Sequence, residues 1–179
     1  LRFFLTTNST PGADLRFSND KMEASWNFIN KIWNASRFVL MQLDEHMEVS
    51  DIDLSHVSMI DKWIMDRFNH VLTNVTANME KYEFALVGNE LYNFVWNDFC
   101  SWYIELSKAG LQSGDETQIH ATRSTLTALL RAILCMLHPF MPFVSEEIYL
   151  TLPHEEESIN LAKWPKAIDV EIDAKEAAA

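Results

Sequence analysis

Apolar residues recur three and four apart through most of this chain, and the first long run of that kind covers residues 20–46, DKMEASWNFINKIWNASRFVLMQLDEH. On a helical wheel Phe28, Val39, Ile32, Leu43, Ile29, Leu40, Met22, Trp33 and Trp26 fill one arc. Arg37, Asn30, Asn34, Asn27, Phe38 and Lys31 fill the opposite one. A broad apolar stripe facing a polar one is the pattern of a helix packed in a bundle. Phe38 breaks the pattern, because it falls among amides and two cations. A ring in that company suits stacking on an unpaired base while its neighbours bond base edges and phosphates. The plainer alternative is a lone surface phenylalanine.

The same spacing predicts three further long helices. One spans about 58–79 on Ile60, Ile64, Phe68, Val71, Leu72, Val75 and Met79. The next spans about 83–109, with Phe84, Val87, Leu91, Phe94, Val95, Phe99, Trp102 and Leu106 as its buried side. Gly88 within it costs about 1 kcal/mol relative to Ala and so implies a close helix contact. The last runs over about 117–138 and stops at Pro139. A short helix on Val144, Ile148 and Leu152 ends before Pro153. No proline occurs between Ala13 and His138, which leaves the helices joined by polar loops such as the acidic 48–55. Ahead of the first helix, Pro11-Gly12 marks a turn and Asp14 to Phe17 an extended piece. Asn19 or Asp20 caps the helix, with Glu23 completing a capping box. The reading is all-α: an antiparallel helix bundle of four long helices plus a short closing helix. Residues 1–19 form a connecting segment, 20–153 the bundle and 154–179 a C-terminal extension. Ile159, Leu161 and Trp164 fold that extension back, and it frays after about Ala167.

Composition changes this picture only in detail. A chain of 179 residues with 48% hydrophobic content builds one sizeable core. Cys100 and Cys135 sit in apolar helical patterns and read as reduced core residues of a cytoplasmic protein. No apolar run reaches the roughly 20 residues of a membrane span. The net charge of −12 argues against general nucleic-acid affinity. Its distribution is uneven, because residues 1–40 carry five cations against three carboxylates and leave −14 for the rest. A mildly basic patch on an acidic body fits nucleic-acid contact at one place only.

Catalytic and metal-binding patterns are missing. None of the six histidines has Glu three residues before it, and no His-Glu-x-x-His helix or Cys-x-x-Cys pair occurs. Four ungrouped glycines make no phosphate loop. His138 reads as a helix-end residue. WNDFCSWYIELSK (96–108) reads as a buried aromatic seam with hydrogen-bonded tips. Asp66 and Arg67 near Trp63 read as an inter-helix polar tie.

LRFFLTTNSTPGADLRFS (1–18), NFINKIWNASRFVLM (27–41), DKWIMDRFN (61–69), WNDFCSWYIELSK (96–108), LLRAILCMLHPFMPFVSEEIY (129–149) and the late Trp164-Pro165 fall in one order along the chain. Together they resemble the anticodon-binding helical domain of class Ia aminoacyl-tRNA synthetases, the valine-specific members most of all. The N-K-x-W-N-A-S-R-F and F-C-x-W-Y-I-E runs point to valine, whereas an isoleucine enzyme would show an R-N-T-x-R-F-type helix. The resemblance implies that ATP, with Mg, is used by an upstream catalytic domain bearing HIGH-like and KMSKS-like motifs. Lys21 to Ser25 only mimics the second of these. The chain opens without Met and reads as a piece of a longer, monomeric ligase. Valine tRNA is the implied partner. Carried over from the family's pattern, Lys31, Arg37 and Phe38 meet the anticodon, Phe38 by stacking. Asn34 and Asn27 join them from the wheel, and Lys21 lies near the helix start. The alternatives are another class Ia synthetase, isoleucine first, or a helical module that binds a protein partner through the same face.

Overall fold

The computed structural model describes every residue except 10, 11, 13, 16, 45 and 171–179. Pro11 of the expected turn, Arg16 of the expected extended piece and the last nine residues of the expected frayed end lie outside those described. Among the described residues there is no strand, and besides two single 3-10 turns (Val49–Asp51 and Ile159–Leu161) the helices are α1 (Arg2–Asn8), α2 (Asn19–Gln42), α3 (Met59–Glu80), α4 (Phe84–Asn93), a π-helix (Phe94–Tyr103), α5 (Ile104–Leu111), α6 (Glu116–Leu137) and α7 (Pro142–Tyr149). The all-α expectation holds.

The opening differs from expectation, since residues 2–8 are helical where a connecting segment was read. Phe3, Phe4 and Thr7 are buried on one side of α1, and the Phe3 ring lies 5.3 Å from that of Phe28 on α2. Burying two phenylalanines stabilises a two-turn helix that propensity alone would leave unformed. Gly88 meets α1 as the close-contact reading required: a Cβ built there falls 2.0 Å from Thr7 Cγ2. The cap of α2 is Ser18, without a side-chain capping bond, and not Asn19 or Asp20. The helix also ends at Gln42, four residues before the predicted His46.

The largest correction concerns residues 83–109, which do not form one α-helix. In the π-helix the ladder closes one residue later per turn, and Ser101 Oγ donates to the Trp96 carbonyl, five residues back, at 2.7 Å. Buried positions follow that wider step: Phe94, Phe99 and Ile104, then Val95 and Cys100. Tyr103 therefore enters the core, while Trp102, predicted buried, is 62% exposed and Leu106 is 40% exposed.

A buried polar knot pins this segment. Asp61 accepts from Tyr103 Oη at 2.6 Å and from the Ser58 hydroxyl and N–H at 2.7 and 3.0 Å. Ser58 returns the bond by accepting from Asp61 N–H, which completes a capping box on α3. Arg67 supplies the expected inter-helix tie, but with Asp98 of the π-helix, Nε to Oδ2 3.0 Å. Asp66 instead faces His70 at 3.7 Å.

The C-terminal extension straps α3. Trp164 Nε1 donates to Thr76 Oγ1 at 2.9 Å. Asn69 brackets the backbone of Ile168, accepting from its N–H at 2.8 Å and donating to its carbonyl at 2.7 Å. The chain is thus tied one residue beyond Ala167. His138 does close a helix end, bridging Ser145 at 2.7 Å and Asn160 at 3.0 Å.

Burial pushes the Cys100 thiol up to about 12. Burial and then the Asp61 carboxylate hold the Tyr103 phenol well above its usual range. Both groups ionise more readily in the unfolded chain, the thiol near pH 8.5. Their stabilising contribution is therefore complete below about pH 8.5 and declines as pH rises toward the folded values. We expect the denaturation midpoint to fall between pH 8 and pH 10. At pH 8, Cys100 should react with a thiol reagent no faster than the protein unfolds. Rapid labelling of Cys100 in the folded protein would contradict the burial.

Candidate nucleic-acid interface

The surface of α2 divides into two stripes. Asn27, Lys31, Asn34 and Phe38 follow one another at helical spacing and form the first. Trp26, Asn30, Trp33, Arg37 and Met41 form the second beside it. The second stripe is in solvent along its whole length, with Trp26 62% and Trp33 44% exposed. This corrects the wheel, which placed both tryptophans on the buried arc. Ser25, Phe28, Ile32, Ala35, Ser36 and Val39 are the residues that turn inward, so the core arc is narrower and more polar than hydropathy alone implies. The two tryptophans stand at its margin.

The first stripe runs along a seam with the π-helix and α5. Asn27 and Asn34 are exposed there, whereas Lys31 and Phe38 are half-buried. Lys31 closes a ladder of rings that starts in the core. Phe28 lies 4.8 Å from Tyr92, Tyr92 stacks on Trp96 at 5.5 Å and 15°, and Lys31 Nζ stands 4.9 Å from the Trp96 centroid. The same ammonium donates to Ser101 Oγ at 3.3 Å. Its charge is therefore aimed and partly satisfied before any ligand arrives. Phe38 packs against the core from the surface and carries the Lys108 ammonium 5.9 Å from its ring centroid. Phe38 is thus neither a lone surface ring nor a freely standing one.

The remaining candidates are less gathered. Arg37 and Lys21 are exposed. Lys21 lines a cavity of about 170 Å³ with Phe3, Thr7, Asn8, Gly88 and Tyr92, at the α1 end of α2 and apart from the Lys31–Phe38 seam. Sequence reasoning missed Trp26, Trp33 and Lys108. The position of the two tryptophans beside Arg37 on the wheel was the available signal for them. For Lys108 there was none, because only the fold of the bundle carries the end of α5 to the side of Phe38.

Electrostatics restrict where an anion can sit. Beyond the C-terminal end of α2, Asp44, Asp51 and Asp53 line one cavity with His46, His120 and Arg123. Hydrogen bonds from Ser55 hold the Asp53 carboxyl below its usual range, so it stays charged at neutral pH. Carboxylates there repel phosphate, which leaves the Asn27–Phe38 span and its Arg37 flank as the favourable stretch of α2. Among the described residues no group of His, Cys, Asp and Glu could hold a metal ion, and none of their helices is long and apolar enough to cross a membrane. What the α2 surface offers is planar rings, amides and cations. These groups bind bases and phosphates.

A family model described as the anticodon-binding domain of tRNA ligase matches residues 61–179. The valine–tRNA ligase of Listeria monocytogenes is 56% identical over 180 residues, covering 100% of this chain and 20% of its own length. Those of Bacillus cereus and Staphylococcus aureus are 54% and 55% identical, covering 99% and 93% of this chain. The chain spans about a fifth of the length of these curated relatives. Their similarity extends over α2, which the family model does not reach. The crystal structure of the ternary complex of Agrobacterium radiobacter K84 agnB2 LeuRS with tRNA and LeuAMS superposes with a TM-score of 0.65 at 16% identity, over 93% of this chain and 19% of that one. That likeness is one of fold.

Proposed function

Because this chain belongs to the anticodon-binding domain family of tRNA ligases, we propose that it grips the anticodon arm of valine tRNA for a valine–tRNA ligase. In this reading residues 1–19 lead from an upstream catalytic domain, which joins valine to the tRNA at the expense of ATP with Mg. The full ligase acts as a cytoplasmic monomer. The observation that carries the reading is 54–56% identity to valine–tRNA ligases over nearly the whole chain, α2 included. It favours valine over isoleucine, and tRNA over a protein partner. The α2 face supplies the chemistry: Phe38 stacks on an anticodon base, Arg37 and Lys31 meet base edges or phosphates, and Asn34 and Asn27 bond alongside. Lys21 belongs to the outer margin of the contact.

Replacing Phe38 by Ala in the full-length ligase should lower kcat/KM for valine tRNA by roughly 5- to 150-fold, since a stacked base contributes about 1–3 kcal/mol. Valine activation without tRNA should not change. Arg37→Ala, at an exposed position outside the core, should weaken the same step. Binding of valine tRNA against an anticodon-swapped version at moderate salt gives the second reading. Wild-type charging by Phe38→Ala, together with no anticodon preference, would leave the protein-partner alternative standing.

A further inference from the structure

Lys108 lies in the last turn of α5, across the seam from α2, and two attachments hold it. Its ammonium stands 5.9 Å from the Phe38 centroid, at the outer limit of about 6 Å for attraction to a ring. It also pairs with Glu105 Oε2 at 2.6 Å, in a bridge whose side chains are 43% and 63% exposed. An exposed pair of this kind is screened by water and weak. Lys108 is therefore parked over the ring to which an RNA base is assigned, and little holds it there.

We propose that Lys108 is a reserve contact for the RNA backbone, restrained by Glu105 until a base occupies Phe38. The inference rests on the stacking role of Phe38. The ammonium and a base compete for that ring, so stacking displaces the lysine from it. The lysine has the flexible stem to move aside. Leaving Glu105, it exchanges one anionic partner for a phosphate and remains paired, while Glu105 is already well hydrated. Lys31, the other cation on the seam, has no carboxylate among these partners, only Trp96 and Ser101. Glu105 thus sets a threshold: it competes with phosphate for Lys108, so the RNA gains the contact fully only when stacking dislodges the ammonium.

The test uses the full-length ligase and valine tRNA, with binding measured from 50 to 200 mM salt. Lys108→Gln should weaken binding several-fold at low salt and reduce the slope of log K against log salt by about 0.7, the share of one single-strand phosphate. Lys108→Arg should keep the slope. Glu105→Gln should tighten binding roughly two- to fivefold, the size of one exposed ion pair. That gain should vanish in the Lys108→Gln/Glu105→Gln double variant. An unchanged slope in Lys108→Gln overturns the proposal, as does a Glu105→Gln gain that survives without Lys108. If Phe38→Ala loses affinity while Lys108→Gln keeps its slope, only this inference fails. If Phe38→Ala binds like the parent, the stacking reading fails and takes this inference with it.

Discussion

Replacing Asp61 by Ala is expected to lower stability by about 3–5 kcal/mol, the range for stripping a buried charge network of one partner. Asp61 is 1% exposed, and its carboxylate accepts from Tyr103 Oη, Ser58 Oγ and Ser58 N–H. Its removal takes the carboxylate acceptor from the buried Tyr103 hydroxyl, releases the part-buried Ser58 hydroxyl and N–H, and dismantles the cap of α3. Tyr103→Phe removes only the phenolic donor and should cost about 1–3 kcal/mol. For a domain of this size each kcal/mol shifts the melting temperature by about 2–4 °C, so the alanine variant should melt roughly 6–20 °C below the parent. A thermal midpoint within 2 °C of the parent would show that the knot is dispensable. The effect should also reach α2. Tyr103 ends the π-helix that presents Trp96 and Ser101 to Lys31, and once it is released the ammonium loses its fixed aim.

Gly88→Ala is the second large expected effect. Elsewhere in a helix this change stabilises by about 1 kcal/mol. Here the new methyl group would lie 2.0 Å from Thr7 Cγ2 and 2.5 Å from Thr7 Cβ, and overpacking of that kind costs about 1–3 kcal/mol. Since α1 has only seven residues, it should yield by lifting off α4 and exposing Phe3 and Phe4. Set against the helix gain, this leaves a net loss of up to about 2 kcal/mol, or roughly 4–8 °C at that limit. Thr7→Gly in the same chain should recover part of it, because the nearest remaining atom, the Thr7 Cα, is 3.5 Å away. Gly110→Ala is the contrast: its new methyl meets a hydroxyl, Thr122 Oγ1, at 2.6 Å, and the loss should be smaller. Calorimetry on the three variants decides the matter. A Gly88→Ala protein that melts at or above the parent would show that α1 adjusts without strain.

The long helices could be read from spacing, because each buries a stripe of large apolar residues and stops at a proline or a polar loop. Their predicted ends at Met79 and His138 fall within one residue of α3 and α6. Helix α1 was not legible, since Thr6, Thr7 and Asn8 are poor helix formers and the segment is stable only through Phe28 and α4. The π-helix was hidden for another reason. A wheel with one fixed angle cannot show a change of winding, so it sent Trp102 inward and left Tyr103 undistinguished. At the candidate interface the exposure of Arg37, Asn34 and Asn27 follows from their own helix and was foreseen. The engagement of Lys31 with Trp96, and of Phe38 with Lys108, depends on which helix packs beside α2. Periodicity holds no information about that.

The π-helix also makes chain length a structural variable. A wide turn is how a helix absorbs a surplus residue without breaking, where unchanged α winding would turn everything downstream by about 100°. Deleting one residue between Phe94 and Tyr103 would therefore return that span to ordinary winding while α5 keeps its place. The side chains that change sides are those within the span itself, Trp96 and Ser101 beside Lys31 among them. In this segment the count of residues, as much as their identity, decides which side chains face α2.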